Sequence, residues 1–149
     1  MTGIQLEKAV EGEVVETALT HLNRGEITEV LACFAEKFRF NDRGIGVEFT
    51  NQRRLAEFFR KTREFYPDSS LQMDRVVVSG EHVTAEWKLR FSFTEPFYGG
   101  QSLRVPIVLR GVSIVQTENG KITGWTDYYD GLTSRRTALA AHFEEWVEL

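Results

Sequence analysis

"VTAEWKLRFSF", residues 83–93, alternates without a break. Val83, Ala85, Trp87, Leu89, Phe91 and Phe93 fall on one side of an extended chain. Thr84, Glu86, Lys88, Arg90 and Ser92 fall on the other. Successive side chains of a strand point to opposite faces, so the pattern predicts a long strand with one face buried and one in water, as antiparallel sheets have. "LQMDRVVVS" (71–79) predicts its partner, joined through the tight turn "SGEH". Downstream, residues 103–117 predict another long strand, in which Pro106 marks a bulge or an unpaired edge position. The Asn-Gly pair in "ENGK" is a hairpin turn, and it leads into a last strand within "GKITGWTDYYDG" (120–131).

Upstream of residue 71 the period is helical. Leu6, Val10, Val14, Ala18 and Leu22 predict a helix over 5–23, ended by "NRG". Ile27, Val30, Leu31 and Phe34 fall at i, i+3, i+4 and i+7 and predict a second helix over 26–36. A short strand "FRFND" and a glycine-containing loop follow. Thr50 or Asn51 then caps a third helix that carries Leu55, Phe58 and Phe59 on one face. Residues 133–147 predict a closing helix through Leu139, Phe143, Trp146 and Val147. Helices first and long strands after them make an α+β fold, a curved antiparallel or mixed sheet wrapped around N-terminal helices. Its 149 residues suit one domain, 1–149, with no repeat and no linker.

Composition narrows the function classes. The chain is 42% hydrophobic and 12% aromatic, with 11 Phe, which suits an apolar interior cavity. Net charge is −4 and no basic stripe is long enough for a nucleic-acid footprint. No apolar run approaches a membrane span, and no signal-peptide segment is present, so a cytoplasmic location is the default expectation. The single Cys33 lies on an amphipathic pattern and reads as a core residue. His21, His82 and His142 are scattered without partners at ligand spacing, so no metal is expected. No phosphate loop, dinucleotide fingerprint or Ser-His-Asp arrangement occurs, and no cofactor is expected.

The last strand poses a chemical question, because Asp is depleted in strands and a carboxylate among aromatic rings is costly. If Asp127 faces the interior, alternation sends Trp125 and Tyr129 with it and Tyr128 and Asp130 to the other side. Desolvation and a nearby Asp42 would raise the Asp127 pKa, whereas Arg110, if close, would lower it. A carboxylate tuned in this way suits general acid/base work near neutral pH. Asp127 and Arg110 as a buried ion pair between strands is the structural alternative. Asp42 before Arg-Gly reads equally as a turn former. Tyr66 reads as a helix-end packing residue or as a cover for the pocket mouth, and Asp130 as the cap of the closing helix.

"GKITGWTDYYD", with "CFAEKFRFND" and "AEW", resembles the SnoaL-like and limonene-epoxide-hydrolase-like members of the nuclear transport factor 2-like superfamily, over roughly residues 5–132. The resemblance implies a cone-shaped barrel enclosing an apolar pocket, often in homodimers. It also implies epoxide hydrolases, ketosteroid isomerases, polyketide cyclases or non-catalytic binding modules as the range of functions. Carried over by position, Asp127 matches the general base of the epoxide hydrolases and Asp42 an Asn that holds the attacking water. Phe40 stands in place of a Tyr. Trp87 and Leu89 replace the Arg and Asp that complete the relay, and Arg110 occupies an apolar pocket position.

The expectation is a cofactor-independent isomerase, cyclase or hydratase acting on a small or medium apolar molecule. Asp127 is its base, Arg110 its electrostatic partner and Asp42 a second polar contact. Phe40, Tyr66, Trp87, Leu89, Phe91, Trp125 and Tyr129 are expected to line the pocket. The alternative is a non-catalytic ligand-binding or dimerisation module, its pocket partly filled by Trp87, Leu89 and Phe91. Glu86, Lys88 and Arg90 on the polar strand face suit a sheet-to-sheet homodimer contact.

Overall fold

A computed structural model describes residues 2–96, 102–134, 136–137 and 140. Helix α1, Thr2–Arg24, buries Val15, Ala18 and Leu19. It ends where Gly25 takes φ +72°, and the N–H groups of Gly25 and Glu26 donate back to the Leu22 and His21 carbonyls. Helix α2 is short, Ile27–Ala32, and strand β1 runs from Phe34 to Asp42. Strand β2 (Val47–Phe49) precedes α3 (Gln52–Phe65), whose N-cap Asn51 accepts from the Arg54 N–H at 3.2 Å. Strands β3 (Ser70–Ser79), β4 (His82–Pro96), β5 (Ser102–Glu118) and β6 (Lys121–Tyr129) follow.

The helix expected over 26–36 thus ends at Ala32, and its last three residues, 34–36, are strand. Phe34, the last of the periodic positions, already belongs to β1, where a β-bulge follows it. Phe34 pairs with Ile122 but Arg39 pairs with Gly124, so the extra β1 residues loop out and Phe34 and Phe38 both turn inward. The expected helix over 133–147 begins at Thr133, and most of it lies outside the described residues. The anticipated cap is present: Asp130 Oδ1 accepts the Leu132 N–H at 3.0 Å.

The six strands form one sheet in the order β2-β1-β6-β5-β4-β3, antiparallel except for the β1–β6 pair. The sheet is curved and does not close: β2 and β3 are its edges. Asn119 and Gly120 both take positive φ, as the two-residue Asn-Gly hairpin turn requires. Pro106 sits opposite Ser92, on the half of β5 that β6 does not reach. The Ser92 N–H points away from β5 to Asp68 Oδ2, so this is a non-hydrogen-bonded pair and the missing proline donor is not needed. Thr123 is an extra residue in β6, between Ile122 opposite Thr117 and Gly124 opposite Gln116. Ile122 and Trp125 therefore both face inward, and from Trp125 on the odd positions face the core.

Two apolar clusters fill the concave face. One joins α1, α2 and α3 to Phe34, Phe38, Phe40, Val83, Ala85, Val115, Ile122 and Trp125. The other groups Trp87, Phe91, Val105, Ile107 and Leu109. The cavity described below is walled by members of both.

Candidate functional site

The inward parity of β6 after its bulge decides what the cavity contains. Trp125 is buried, Asp127 and Tyr129 are half-buried against it, and Tyr128 is exposed. β1 runs parallel beside β6 with Asp42 directly opposite Asp127, and Asp42 is only 7% exposed. β5 lies on the other side, with Ser113 directly opposite Asp127 and completely buried. One step further across the sheet, Trp87 of β4 is opposite Gly111. Two carboxylates, a hydroxyl, a phenol and two indoles thus meet on the floor of one cavity of about 550 Å³. Its walls include Phe34, Phe40, Phe58, Phe59, Leu89, Phe91 and Leu109, and Tyr66 and the 80%-exposed Phe65 also line it.

Hydrogen bonding organises this floor. The Trp87 indole N–H donates to Ser113 Oγ at 2.9 Å. Ser113 Oγ donates to Asp127 Oδ1 at 2.5 Å, and the Trp125 indole N–H donates to the same oxygen at 2.7 Å. Among the described residues Asp127 Oδ2 has no hydrogen-bond partner, and no side-chain polar atom is both buried and unbonded. Burial pushes the Asp127 carboxyl up to about 7 and the Asp42 charge adds to it, with the Ser113 and Trp125 donors pulling the other way. The Tyr129 phenol is pushed up as well, first by burial and then by the Asp42 carboxylate at its hydroxyl.

Asp42 sits at the turn after β1 and faces the cavity. Its Oδ1 accepts the Ile45 N–H at 3.1 Å within that turn. Gly44 in that turn lies flat on the Tyr129 ring; a Cβ there would stand 2.1 Å from ring carbons. Tyr66 ends α3 and packs on Phe91 with ring centroids 4.5 Å apart, as a helix-end packing residue does, and it lines the cavity. Phe40 stacks on Trp125 at 6.2 Å. Leu89 is half-buried in the wall. Trp87 forms part of the floor and leaves the cavity open.

Arg110 is not in the site. On β5 the inward positions are Val105, Ile107, Leu109, Ser113 and Val115, so Arg110 has the opposite parity and lies exposed on the outer face. The expected Arg110–Asp127 pairing, as electrostatic partner or as buried ion pair, is therefore corrected: Asp127 faces Ser113 across the strands. Ser113 itself was missed. It shares the parity of the apolar β5 positions, and a hydroxyl on an apolar face opposite a strand Asp was the available signal. Cys33 is buried, and burial raises its thiol pKa, as befits a packing residue. Among the described residues, no His/Cys/Asp/Glu group is arranged to hold a metal, and no helix is long and apolar enough to cross a membrane.

A curved six-stranded sheet holding helices over an apolar cavity is the nuclear transport factor 2 and ketosteroid isomerase-like fold. The solved structures it resembles carry that fold at low sequence identity. One is a protein of ketosteroid isomerase-like fold from Catenulispora acidiphila, solved with trimethylamine, with TM-score 0.71 at 17% identity over 85% of this chain and 92% of that one. Another, from Shewanella putrefaciens, is described as a SnoaL-like polyketide cyclase, with TM-score 0.71 at 14% identity over 88% and 86%. IdmH of Streptomyces antibioticus, described as a polyketide cyclase, gives TM-score 0.73 at 15% identity over 85% and 96%. The SnoaL-like domain family matches residues 15–125, well over half of the sequence, and the chain belongs to that family. No curated protein matches it.

Proposed function

We propose that this SnoaL-like protein is a cofactor-independent acid/base enzyme of the isomerase, cyclase or hydratase kind, acting on a small or medium apolar molecule. The observation that carries the proposal is Asp127. Its carboxyl is poised near 7, with one oxygen held by two donors and the other without a partner among the described residues, and its side chain lines a cavity of about 550 Å³. That volume is within the range of small-molecule sites, and a carboxyl with a pKa near the working pH both takes and returns a proton efficiently. Asp127 is the acid/base, Tyr129 and Asp42 are the polar contacts beside it, and the aromatic walls hold the substrate skeleton.

With Arg110 outside, the charge nearest Asp127 is the negative Asp42. Among the described residues no cation stands beside Asp127, and Lys61 and Arg63 line the cavity from α3 instead, so next to Asp127 a centre that stays neutral or gathers positive charge is favoured over a developing enolate. Protonation of an alkene, alcohol or cyclic ether, followed by isomerisation, closure or water transfer, fits this field better than α-proton abstraction.

The test is solvent deuterium incorporation, followed by NMR in D2O, into a panel of apolar alkenols, cyclic ethers and ketones. The enzyme should accelerate incorporation into at least one member, and Asp127→Asn should slow it roughly a hundredfold or more. Equal rates for the two proteins, or no acceleration across the panel, would overturn the assignment.

A further inference from the structure

The donors on the cavity floor can point only one way. An indole N–H donates and cannot accept, so at 2.9 Å from Trp87 Nε1 the Ser113 oxygen must be the acceptor. Ser113 has one hydroxyl hydrogen, and it goes to Asp127 Oδ1. Trp125, also donor only, occupies the same oxygen from the other side. A proton on Oδ1 would meet two donors and no acceptor. Oδ1 is therefore the fixed, proton-free oxygen of Asp127.

Gly111 makes this arrangement possible. The Trp87 indole crosses β5 at Gly111 to reach Ser113 at the next inward position, and a Cβ on Gly111 would stand 2.3 Å from the indole ring. Any side chain at 111 would lift Trp87 off Ser113. The short run Gly111-Val112-Ser113 thus supplies a bare floor and a hydroxyl at i and i+2, on the same face.

We propose that Ser113, oriented by Trp87 across Gly111, is a positioning residue for Asp127, which fixes Oδ1 as a permanent acceptor and leaves Oδ2 as the oxygen that takes and returns the proton. This rests on Asp127 being the acid/base. A proton taken from one substrate atom onto Oδ2 is returned from Oδ2 to another, so the carboxyl ends as it began. Trp87 stands at one of the two relay positions of the resembled hydrolases, and here it acts with Ser113 through neutral donors in place of charges. Because a donated hydrogen bond favours the ionised carboxylate, Ser113 also keeps the Asp127 pKa from rising further.

The experiment is an NMR pH titration of the protein with 13C-labelled Asp carboxyls, the Asp127 signal being the one lost in Asp127→Asn. Ser113→Ala should move the Asp127 midpoint upward by about one pH unit or more, the size expected for losing a hydrogen bond to a charged group. Trp87→Phe keeps an aromatic ring but removes the donor, and should move the midpoint in the same direction by less, because Ser113 is then a weaker donor. The Ser113→Ala/Trp87→Phe double variant should titrate like Ser113→Ala alone, since Trp87 acts through Ser113. A midpoint that does not move in Ser113→Ala, or a Trp87→Phe shift that simply adds to it, would overturn the proposal. A merely structural role would change the melting temperature and leave the titration in place. The titration reads positioning without turnover. It therefore stays separate from the acid/base assignment, which fails instead if Asp127→Asn remains active.

Discussion

Replacing Asp127 by Asn keeps the shape of the side chain and an oxygen for Ser113 and Trp125 to donate to, but removes the ionisable group. The folded protein raises this carboxyl from 3.8 to about 7, mainly by desolvation. A carboxyl whose folded pKa exceeds its unfolded one holds its proton more tightly in the folded state, so ionising it opposes folding. The penalty is absent below about pH 4, where both states are protonated. It grows as the unfolded chain ionises and is complete above about 7. At about 1.4 kcal/mol per pH unit, the full penalty is about 4 kcal/mol. Asp127→Asn should therefore be more stable than the parent at pH 8, by up to that amount, and nearly equal to it at pH 4. For a chain of this length, that is a rise in melting midpoint on the order of 10 °C at pH 8. Paired thermal scans of the two proteins at half-unit steps from pH 4 to pH 8 measure the difference directly, and other titrating groups cancel between them. A difference that stays flat with pH, or a variant that melts lower at pH 8, would refute the desolvated-carboxyl account of this site.

Arg110→Ala should change the melting midpoint by no more than about 0.5 kcal/mol in equivalent stability, and should leave the Asp127 titration where it is, because Arg110 lies on the outer face; a shifted Asp127 midpoint would place Arg110 back in the site. Benzyltrimethylammonium should bind more tightly than its neutral isostere neopentylbenzene, by tryptophan fluorescence titration, with the gap widening as pH rises past about 7 and Asp127 ionises; equal affinities would contradict the negative field assigned to the cavity. Hydrolysis of limonene-type epoxides should fall far below roughly 1 per second, since Trp87 and Leu89 supply neither charge of the resembled relay; an enzymatic rate in a chromatographic diol assay would show that the Trp–Ser pair substitutes for it. Light scattering should return twice the 17.1 kDa of one chain, with a second copy on the outer sheet face where Val108, Ile114 and Tyr128 are exposed; a single-chain mass at micromolar concentration would rule that out.

How far the sequence could be read depended on whether one period governed a segment. In β4 and in the second half of β6 the alternation is unbroken, and Trp87, Phe91, Trp125, Asp127 and Tyr129 were assigned their faces correctly. The α+β order and the turns at Gly25, Gly80 and Asn119-Gly120 were equally plain, because each turn carries a residue chosen for positive φ. At the start of β1, Phe34 falls in helical phase with Ile27, Val30 and Leu31, and local spacing could not reveal the partner strand β6, which lies far along the chain and draws Phe34 into the sheet. Arg110 went astray for a different reason. The resemblance puts it in the pocket, whereas Val105, Ile107 and Leu109 set the parity of β5 and put residue 110 outside. Ser113 is invisible to composition: one hydroxyl on an apolar face acquires meaning only when β6 brings Asp127 opposite it.

The single extra residue at Thr123 has a consequence for how much change in length this strand can absorb. Ile122, Gly124 and Trp125 already pair with the consecutive β5 residues Thr117, Gln116 and Val115, so Thr123 stands outside the ladder. Removing it would leave plain alternation, with Ile122 and Trp125 still inward and Asp127 still opposite Ser113. Removing Thr126 instead would shift Asp127 by one place beyond Trp125 and turn it to the outer face. A one-codon deletion is therefore harmless to the acidic floor at the bulge and fatal to it three residues later.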